Sequence, residues 1–330
     1  MKISVAMCTY YGEKYVKEQL ESILNQTHNI DEIIICDDCS KDETLNICKE
    51  ILKESNVSFK IKSNENNLGF IKNFYQALDL CTGDIIFFSD QDDVWKKDKV
   101  EKVLDVFKNN KDALLVFTEA DVVNQDLVGE DSLLKGASFK NEFLKSNQTK
   151  FNSLLNDNYV TGATMAIKKE LKSELEKASR FNDCPHDYWL ALIAAANNGL
   201  YCYEKPLIYY RQHSSNTIGI NKRYSFKQVK KLFSSNRNKN RENRYAELRL
   251  PTLYELKKYV LLKNNKEYLR IINDKIKFWE NRSDFFGGSF TKNIMVVFKS
   301  TINGEQKLNR NVNHPIFVDF VKACALSKKI

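Results

Sequence analysis

The sequence predicts an α/β protein, a mostly parallel sheet flanked by helices and followed by a basic α-helical extension. Three observations predict it. Short apolar runs alternate with amphipathic stretches of helical period from Ile3 to Thr118. Those runs lack polar–apolar alternation, so they read as strands covered on both faces, as in parallel sheets sandwiched by helices. The charge balance also reverses along the chain. Residues 1–219 carry 26 Lys and Arg against 34 Asp and Glu, a net −8, whereas residues 220–330 carry 25 against 9, a net +16. A boundary is therefore placed at 219/220, beside the basic, Asn-rich stretch Ser234–Arg241.

Ile3–Cys8 is the first buried strand, and Tyr15, Val16, Leu20, Ile23 and Leu24 mark one face of the helix after it. Glu32–Cys36 is the second strand. Ser40 or Asp42 caps the next helix, which carries Leu45, Ile47, Cys48, Ile51 and Leu52. Val57–Ile61 is a strand and Phe70–Leu80 a helix. Gly83 and Asp84 turn the chain into a fourth strand, Ile85–Phe88. A helix over Lys96–Lys108 and a strand over Ala113–Thr118 follow. Residues 125–157 read as a loop-rich insertion available for acceptor contact. Tyr159–Ile167 reads as a strand made slim by Gly162 and Ala163, either for close approach of a ligand or backbone or as a bulge. Tyr188–Asn197 is helical and Leu207–Tyr210 a strand. Beyond 220, Leu248, Leu253, Leu256, Tyr259, Val260 and Leu261, then Tyr268, Leu269, Ile272, Ile276 and Phe278, predict two helices packed as a hairpin.

The 330 residues suit one large domain or a domain with an extension. No run approaches the roughly 18–20 apolar residues of a membrane span, and the N-terminus has no secretory pattern, so a cytoplasmic protein is expected. The eight cysteines are then expected as free thiols. Cys36 and Cys39 form a lone CxxC with no second ligand pair, which is a poor metal site.

Function is concentrated where the strands end. Thr9-Tyr10-Tyr11, Asp37-Asp38 and Asp90-Gln91-Asp92-Asp93 each follow a predicted strand directly. In a parallel sheet such clusters converge on the carboxyl edge, where ligands bind. There is no GxGxxG after the first strand and no GxxxxGK[ST] anywhere, which disfavours a dinucleotide fold and a P-loop. Phosphates then need another counter-charge. Three carboxylates within Asp90–Asp93 repel one another, and a hard cation, Mn²⁺ or Mg²⁺, relieves that and holds a diphosphate. The plainer reading of the same residues is an acidic turn leading into a helix.

Four segments, Thr9-Tyr10-Tyr11, Asp37–Asp42, Asn67-Leu68-Gly69 and Ser89–Trp95, fall in the order and spacing of glycosyltransferase family 2, whose fold is the Rossmann-like GT-A fold. The resemblance covers about residues 1–215. His186-Asp187-Tyr188-Trp189 and Tyr210–Asn216 resemble the bacterial subgroup that builds rhamnose-containing and other surface polysaccharides. The resemblance implies that Thr9, Tyr11, Asp38 and Asp90 bind the nucleotide, with Tyr11 near the base and Asp38 accepting from a base N–H. It implies that Asp92, Asp90 and His213 hold the metal, with Asp92 the direct ligand. Asp187 becomes the general base, its plainer reading being a helix cap. Gly162, Ala163, Trp189 and Arg211 become donor or acceptor contacts. His186 is either a supporting residue or an exposed loop residue.

The implied reaction moves a sugar from dTDP-rhamnose or a UDP-hexose, with inversion, to a glycan or a lipid-linked (polyprenyl-diphosphate) acceptor. No QxxRW motif accompanies it, so single addition is expected rather than processive synthesis. For residues 220–330 three readings stand: a solvated helical face, a surface for anionic membrane, or a homodimer interface. Two other function classes are a non-catalytic nucleotide-sugar-binding module and a nucleic-acid binder using the basic tail; the tail carries no recognition motif, so no nucleic acid is expected as a partner.

Overall fold

The computed structural model describes residues 1–129, 131–137, 139–178, 184–214 and 235–285. The apolar run at the N-terminus forms β1 (Ile3–Thr9), which pairs in parallel with β2 (Glu32–Asp37) on one side and β4 (Ile85–Ser89) on the other. β3 (Ser58–Ser63) adds in parallel outside β2. The side chains of β3 are mostly exposed, and Lys60 and Lys62 blunt the free edge. β1, β2 and β4 are buried at every position, which is why they carry no alternation. Ile3, Val5, Met7, Ile33, Ile35 and Phe87 pack with Val16, Leu20 and Ile23 of α1 (Val16–Leu24), Cys48 and Leu52 of α2 (Thr44–Lys53), and Val100, Val103 and Leu104 of α4 (Lys99–Asn109). The other sheet face is covered by α3 (Phe70–Leu80) and α8 (His186–Ala196), where Phe88 meets Phe74 and His186.

The full sheet has the order β3-β2-β1-β4-β8-β6-β9-β5, with β7 (Asp131–Ser132) paired to β6 (Leu115–Val123). Parallel pairing stops at β8 (Ala166–Lys168), which lies antiparallel to both β4 and β6. β6 and β9 (Leu200–Arg211) are again parallel, and the two-residue β5 (Val94–Trp95) closes the order antiparallel to β9. Strand direction leaves no trace in an apolar run, so the mixed half was not readable from the pattern. The expected strand over Tyr159–Ile167 is corrected: Gly162–Thr164 is a 3₁₀ turn between extended Thr161 and Met165, and the paired strand there is Ala166–Lys168. The insertion at 125–157 holds β7, the short α5 (Leu133–Gly136), a 3₁₀ turn at Asn141–Leu144 and α6 (Asn147–Leu154); α7 (Lys169–Ala178) precedes α8.

The chain forms two compact units. One comprises Met1–Lys150 and Asn158–Asn221, and the other Phe151–Asp157 with Lys222–Ile330. Within the second, α9 (Ser235–Leu262) and α10 (Lys266–Phe285) are the two expected helices, joined at Lys263–Asn265 and packed together. Phe151 stacks on Tyr268 at 4.3 Å, Lys275 bonds Asn156, and Arg249 bonds Asn156 and pairs with Asp157. Among the described residues no helix is long and apolar enough to cross a membrane. Ile294–Phe298 and most of the Phe285–Phe290 cluster lie outside the described residues.

Candidate active site

Parallel pairing sets Thr9 opposite Asp37 and Met7 opposite Ser89, so the loops after β1, β2 and β4 leave one edge together. Side chains lock them to one another. Asp37 accepts from the Thr9 hydroxyl at 2.7 Å and from the Ser40 hydroxyl and N–H, shaping the turn in which Cys39 takes φ 73°. The Gln91 amide exchanges two hydrogen bonds with the Tyr10 backbone, at 2.8 and 2.9 Å. Tyr11, also at positive φ, donates its N–H to Ser40 and leaves its ring exposed, edge-on to Tyr10. Asp38 is buried, and its carboxylate accepts from the N–H groups of Leu68 and Gly69 and from Asn64. It thereby organises the Asn67-Leu68-Gly69 segment that opens α3.

The acidic loop after β4 is dense in charge. Burial, then Asp92 and Asp187, push the Asp90 carboxyl up to about 7, against the pull of Lys99. Asp93 is also pushed up, by burial and then Asp92 and Asp90; its Oδ1 accepts the Arg211 N–H at 3.0 Å, while its Oδ2 is buried with no hydrogen-bond partner among the described residues. Asp92 meets His213 Nε2 through Oδ2 at 2.8 Å, and the His213 ring stacks on Tyr15 at 4.8 Å. Lys99, fully buried, is drawn down to about 7 by that burial, opposed by Asp93 and Asp90. Tyr210 sits in the same field: burial raises its phenol first, then the charges of Asp93, Asp90, Asp92 and Asp187.

Asp187 lies in the first turn of α8 but does not cap it. The capping position is Pro185, without a side-chain bond. Its Oδ1 accepts from the Tyr188 N–H and Asn158, and its Oδ2 from the Gly162 N–H at 3.2 Å. Burial raises its carboxyl to about 6, and these bonds oppose the rise. His186 beside it is a buried residue, not a loop residue. It stacks on Phe74 at 4.1 Å, neither ring nitrogen has a hydrogen-bond partner among the described residues, and burial lowers it to about 3.

Trp189 and Ala163, expected as donor or acceptor contacts, are fully buried. A Cβ on Gly162 would lie 3.0 Å from His186 Nε2 and 3.7 Å from Asp187 Cβ, so the close approach there is between turn and helix. Arg211 is buried and already committed. Its Nε donates to the Asp92 carbonyl at 2.7 Å and one terminal nitrogen to the Gln125 carbonyl; the other pairs with Glu18, and the guanidinium covers the Tyr15 ring. Asp92, Asp90 and His213 do not form one three-donor cluster; among the described residues no group of three or more His, Cys, Asp or Glu is placed to hold a metal by itself. Asp92 and His213 come together as an oxygen and a nitrogen donor; the carboxylate suits either Mn²⁺ or Mg²⁺, and the imidazole suits Mn²⁺ better than the oxygen-seeking Mg²⁺. Burial first, and then the neighbouring carboxylates, raise Asp90 and Asp93, and a cation at this loop would relieve the second of these. Lys99, Gln91, Glu18 and Tyr210 had no individual signal, because a lysine at a helix start or a tyrosine in a strand reads as ordinary surface or core.

A model of Glycosyl transferase family 2 matches residues 4–175. Over 249 residues, 71% of this chain and 80% of the relative, the sequence is 35% identical to the dTDP-rhamnosyl transferase RfbG of Shigella flexneri. Over 236 residues, 69% of this chain and 83% of the relative, it is 25% identical to the UDP-Glc:alpha-D-GlcNAc-diphosphoundecaprenol beta-1,3-glucosyltransferase WfgD of Escherichia coli. The crystal structure of S. aureus TarS 1-349 in complex with UDP superposes with a TM-score of 0.58 at 16% identity, over 99% of this chain and 90% of that one, a likeness of fold. An acidic loop after the fourth strand, a carboxylate on the facing helix and a family match through that strand order lead to one conclusion: the chain belongs to glycosyltransferase family 2 and is a glycosyltransferase.

Proposed function

We propose that the protein transfers a sugar, with inversion, from a nucleoside-diphosphate donor to a glycan or polyprenyl-diphosphate-linked acceptor in bacterial surface polysaccharide synthesis. dTDP-rhamnose is the first candidate donor and a UDP-hexose the second. The observation that carries the reading is the meeting of the Asp90–Asp93 loop with Asp187 in one electrostatic field at the edge of the sheet. The likeness to a dTDP-rhamnosyl transferase supports the donor, and the likeness to an enzyme named for a diphosphoundecaprenol acceptor supports a lipid-linked acceptor.

Asp187 takes the proton from the acceptor hydroxyl as its oxygen attacks the anomeric carbon. The bond from that carbon to the diphosphate oxygen breaks on the opposite face, so one base and no covalent nucleophile suffices. Three hydrogen bonds fix the carboxylate, and burial makes it a stronger base than a free aspartate while leaving it ionised at pH 7. Asp92 and His213 would hold Mn²⁺ or Mg²⁺, which as a Lewis acid stabilises charge on the departing diphosphate. Asp90 supports that end, Tyr11 offers an exposed ring to the base, and Asp38 keeps the Leu68–Gly69 segment against the nucleotide. Thr9 acts through Asp37. The basic C-terminal region, in this reading, rests on an anionic inner leaflet beside the lipid-linked acceptor, in a cytoplasmic enzyme.

Thermal unfolding with dTDP, UDP and their sugars tests this directly. A nucleotide at about 100 times its Kd adds roughly 2.7 kcal/mol of stability. The gain is expected with Mn²⁺, lost in EDTA, and absent in Asp92→Ala. Equal gains with and without metal would reject the metal role.

A further inference from the structure

Lys99 has no role in the chemistry above, yet it is a cation enclosed in the site's core. It opens α4 and is fully buried. Its Nζ lies 3.9 Å over the Trp95 ring and makes one hydrogen bond among the described residues, 2.8 Å to the Ala163 carbonyl. A buried ammonium is costly unless charge and hydrogen bonds compensate it. The compensating charges here are Asp93 and Asp90, of the acidic loop. Ala163 is the middle residue of the Gly162–Thr164 turn, and that turn's Gly162 N–H holds Asp187 Oδ2. The turn has little room to move, since even a Cβ on Gly162 would press on His186. One side chain thus links the two halves of the site: it bonds the turn at the base end, packs on Trp95 of the strand that directly follows the acidic loop, and lies in the field of that loop's Asp93 and Asp90.

We infer that Lys99 is a positioning residue that ties the acidic loop after β4 to the turn holding Asp187, keeping base and leaving-group site in register. The inference rests on the reading of Asp187 as the base. Lys99 touches neither reactant; it acts through the Ala163 carbonyl and the Gly162 N–H. Misplacing a base by an ångström costs rate without costing donor affinity, up to about 10²-fold.

The test is a double-mutant cycle in the full chain, with Lys99→Met, Asp187→Asn and the pair. Methionine keeps the length and the contact with Trp95 but has neither donor nor charge. The readout is dTDP release from dTDP-rhamnose, or UDP release from UDP-glucose, whichever donor raises the melting temperature, with water in the acceptor's place. Lys99→Met is expected to lower kcat about 10-fold or more, with the donor KM changed less than about threefold. In the Asp187→Asn background the same change is expected to cost less than about twofold. Lys99→Gln keeps an N–H for the Ala163 carbonyl and is expected to recover part of the rate; it carries the cycle if the methionine variant does not fold. A residue that only stabilises the fold would lower the melting temperature and give no coupling. A slow Asp187→Asn enzyme with fully additive losses overturns the Lys99 inference alone. An Asp187→Asn enzyme keeping more than about a third of wild-type turnover removes the base assignment, and the inference with it.

Discussion

Asp187 owes its basicity to burial, which lifts its carboxyl to about 6 against three hydrogen bonds that favour the charged form. In the proposed reaction the ionised form accepts the proton, so turnover should rise with pH through about 6 and level off above it. Asp187→Asn should remove that limb and run about 10²-fold slower. A wild-type pH–rate profile already flat from pH 5 to 8 would separate Asp187 from the chemistry. His186 next to it titrates with the opposite sign. Burial among aromatic rings holds it at about 3, while the unfolded chain takes a proton near 6.5. Its contribution is complete above the unfolded value and is lost as pH falls toward the folded one, at up to about 1.4 kcal/mol per pH unit. His186→Phe keeps the stacking and removes the proton. Between pH 7 and 5, urea unfolding should show the variant losing about 2 kcal/mol less stability than wild type. Equal losses would mean that His186 is protonated in the folded state.

At the scale of elements, Arg211 ends β9 and holds the acidic loop in place, its backbone N–H donating to the Asp93 carboxylate and its guanidinium to the Asp92 carbonyl, the Gln125 carbonyl and Glu18. A lysine keeps the backbone bond but is a point charge and cannot span the three acceptors of the guanidinium. Arg211→Lys should cost about 2–3 kcal/mol of stability and weaken the Mn²⁺-dependent gain with nucleotide. An unchanged denaturation midpoint would show that the guanidinium fork is dispensable. The sequence announced β1, β2 and β4 because buried strands are continuous apolar runs, and it announced their carboxyl-end loops because parallel strands share a direction. It did not announce the Gly162–Thr164 turn, since Val160 to Ile167 has the composition of a strand and only the Thr161–Thr164 and Gly162–Met165 backbone bonds curl it. Nor did it announce what Arg211 and Lys99 touch: a long cation binds backbone carbonyls brought close by distant strands, and no spacing records that.

For the whole molecule the charge asymmetry is the feature with a measurable outcome. Vesicles rich in anionic lipid should co-sediment the full chain at low salt and release it as ionic strength rises, because each well-placed Lys or Arg near the surface adds about 1 kcal/mol and is screened within a Debye length. A chain that ignores such vesicles would turn attention to self-association. The two units are also threaded through one another in sequence, because the second borrows Phe151–Asp157 from the middle of the first. Asn156 waits 119 residues for Lys275. On a ribosome adding about 5–20 residues per second, that separation is an interval of roughly 6–24 s. Through it Phe151, fully buried in the finished protein, leaves the exit tunnel with its stacking partner Tyr268 not yet made. The order of translation itself therefore creates a timed window of apolar exposure, in which a chaperone can engage the nascent chain before α9 and α10 arrive to cover it.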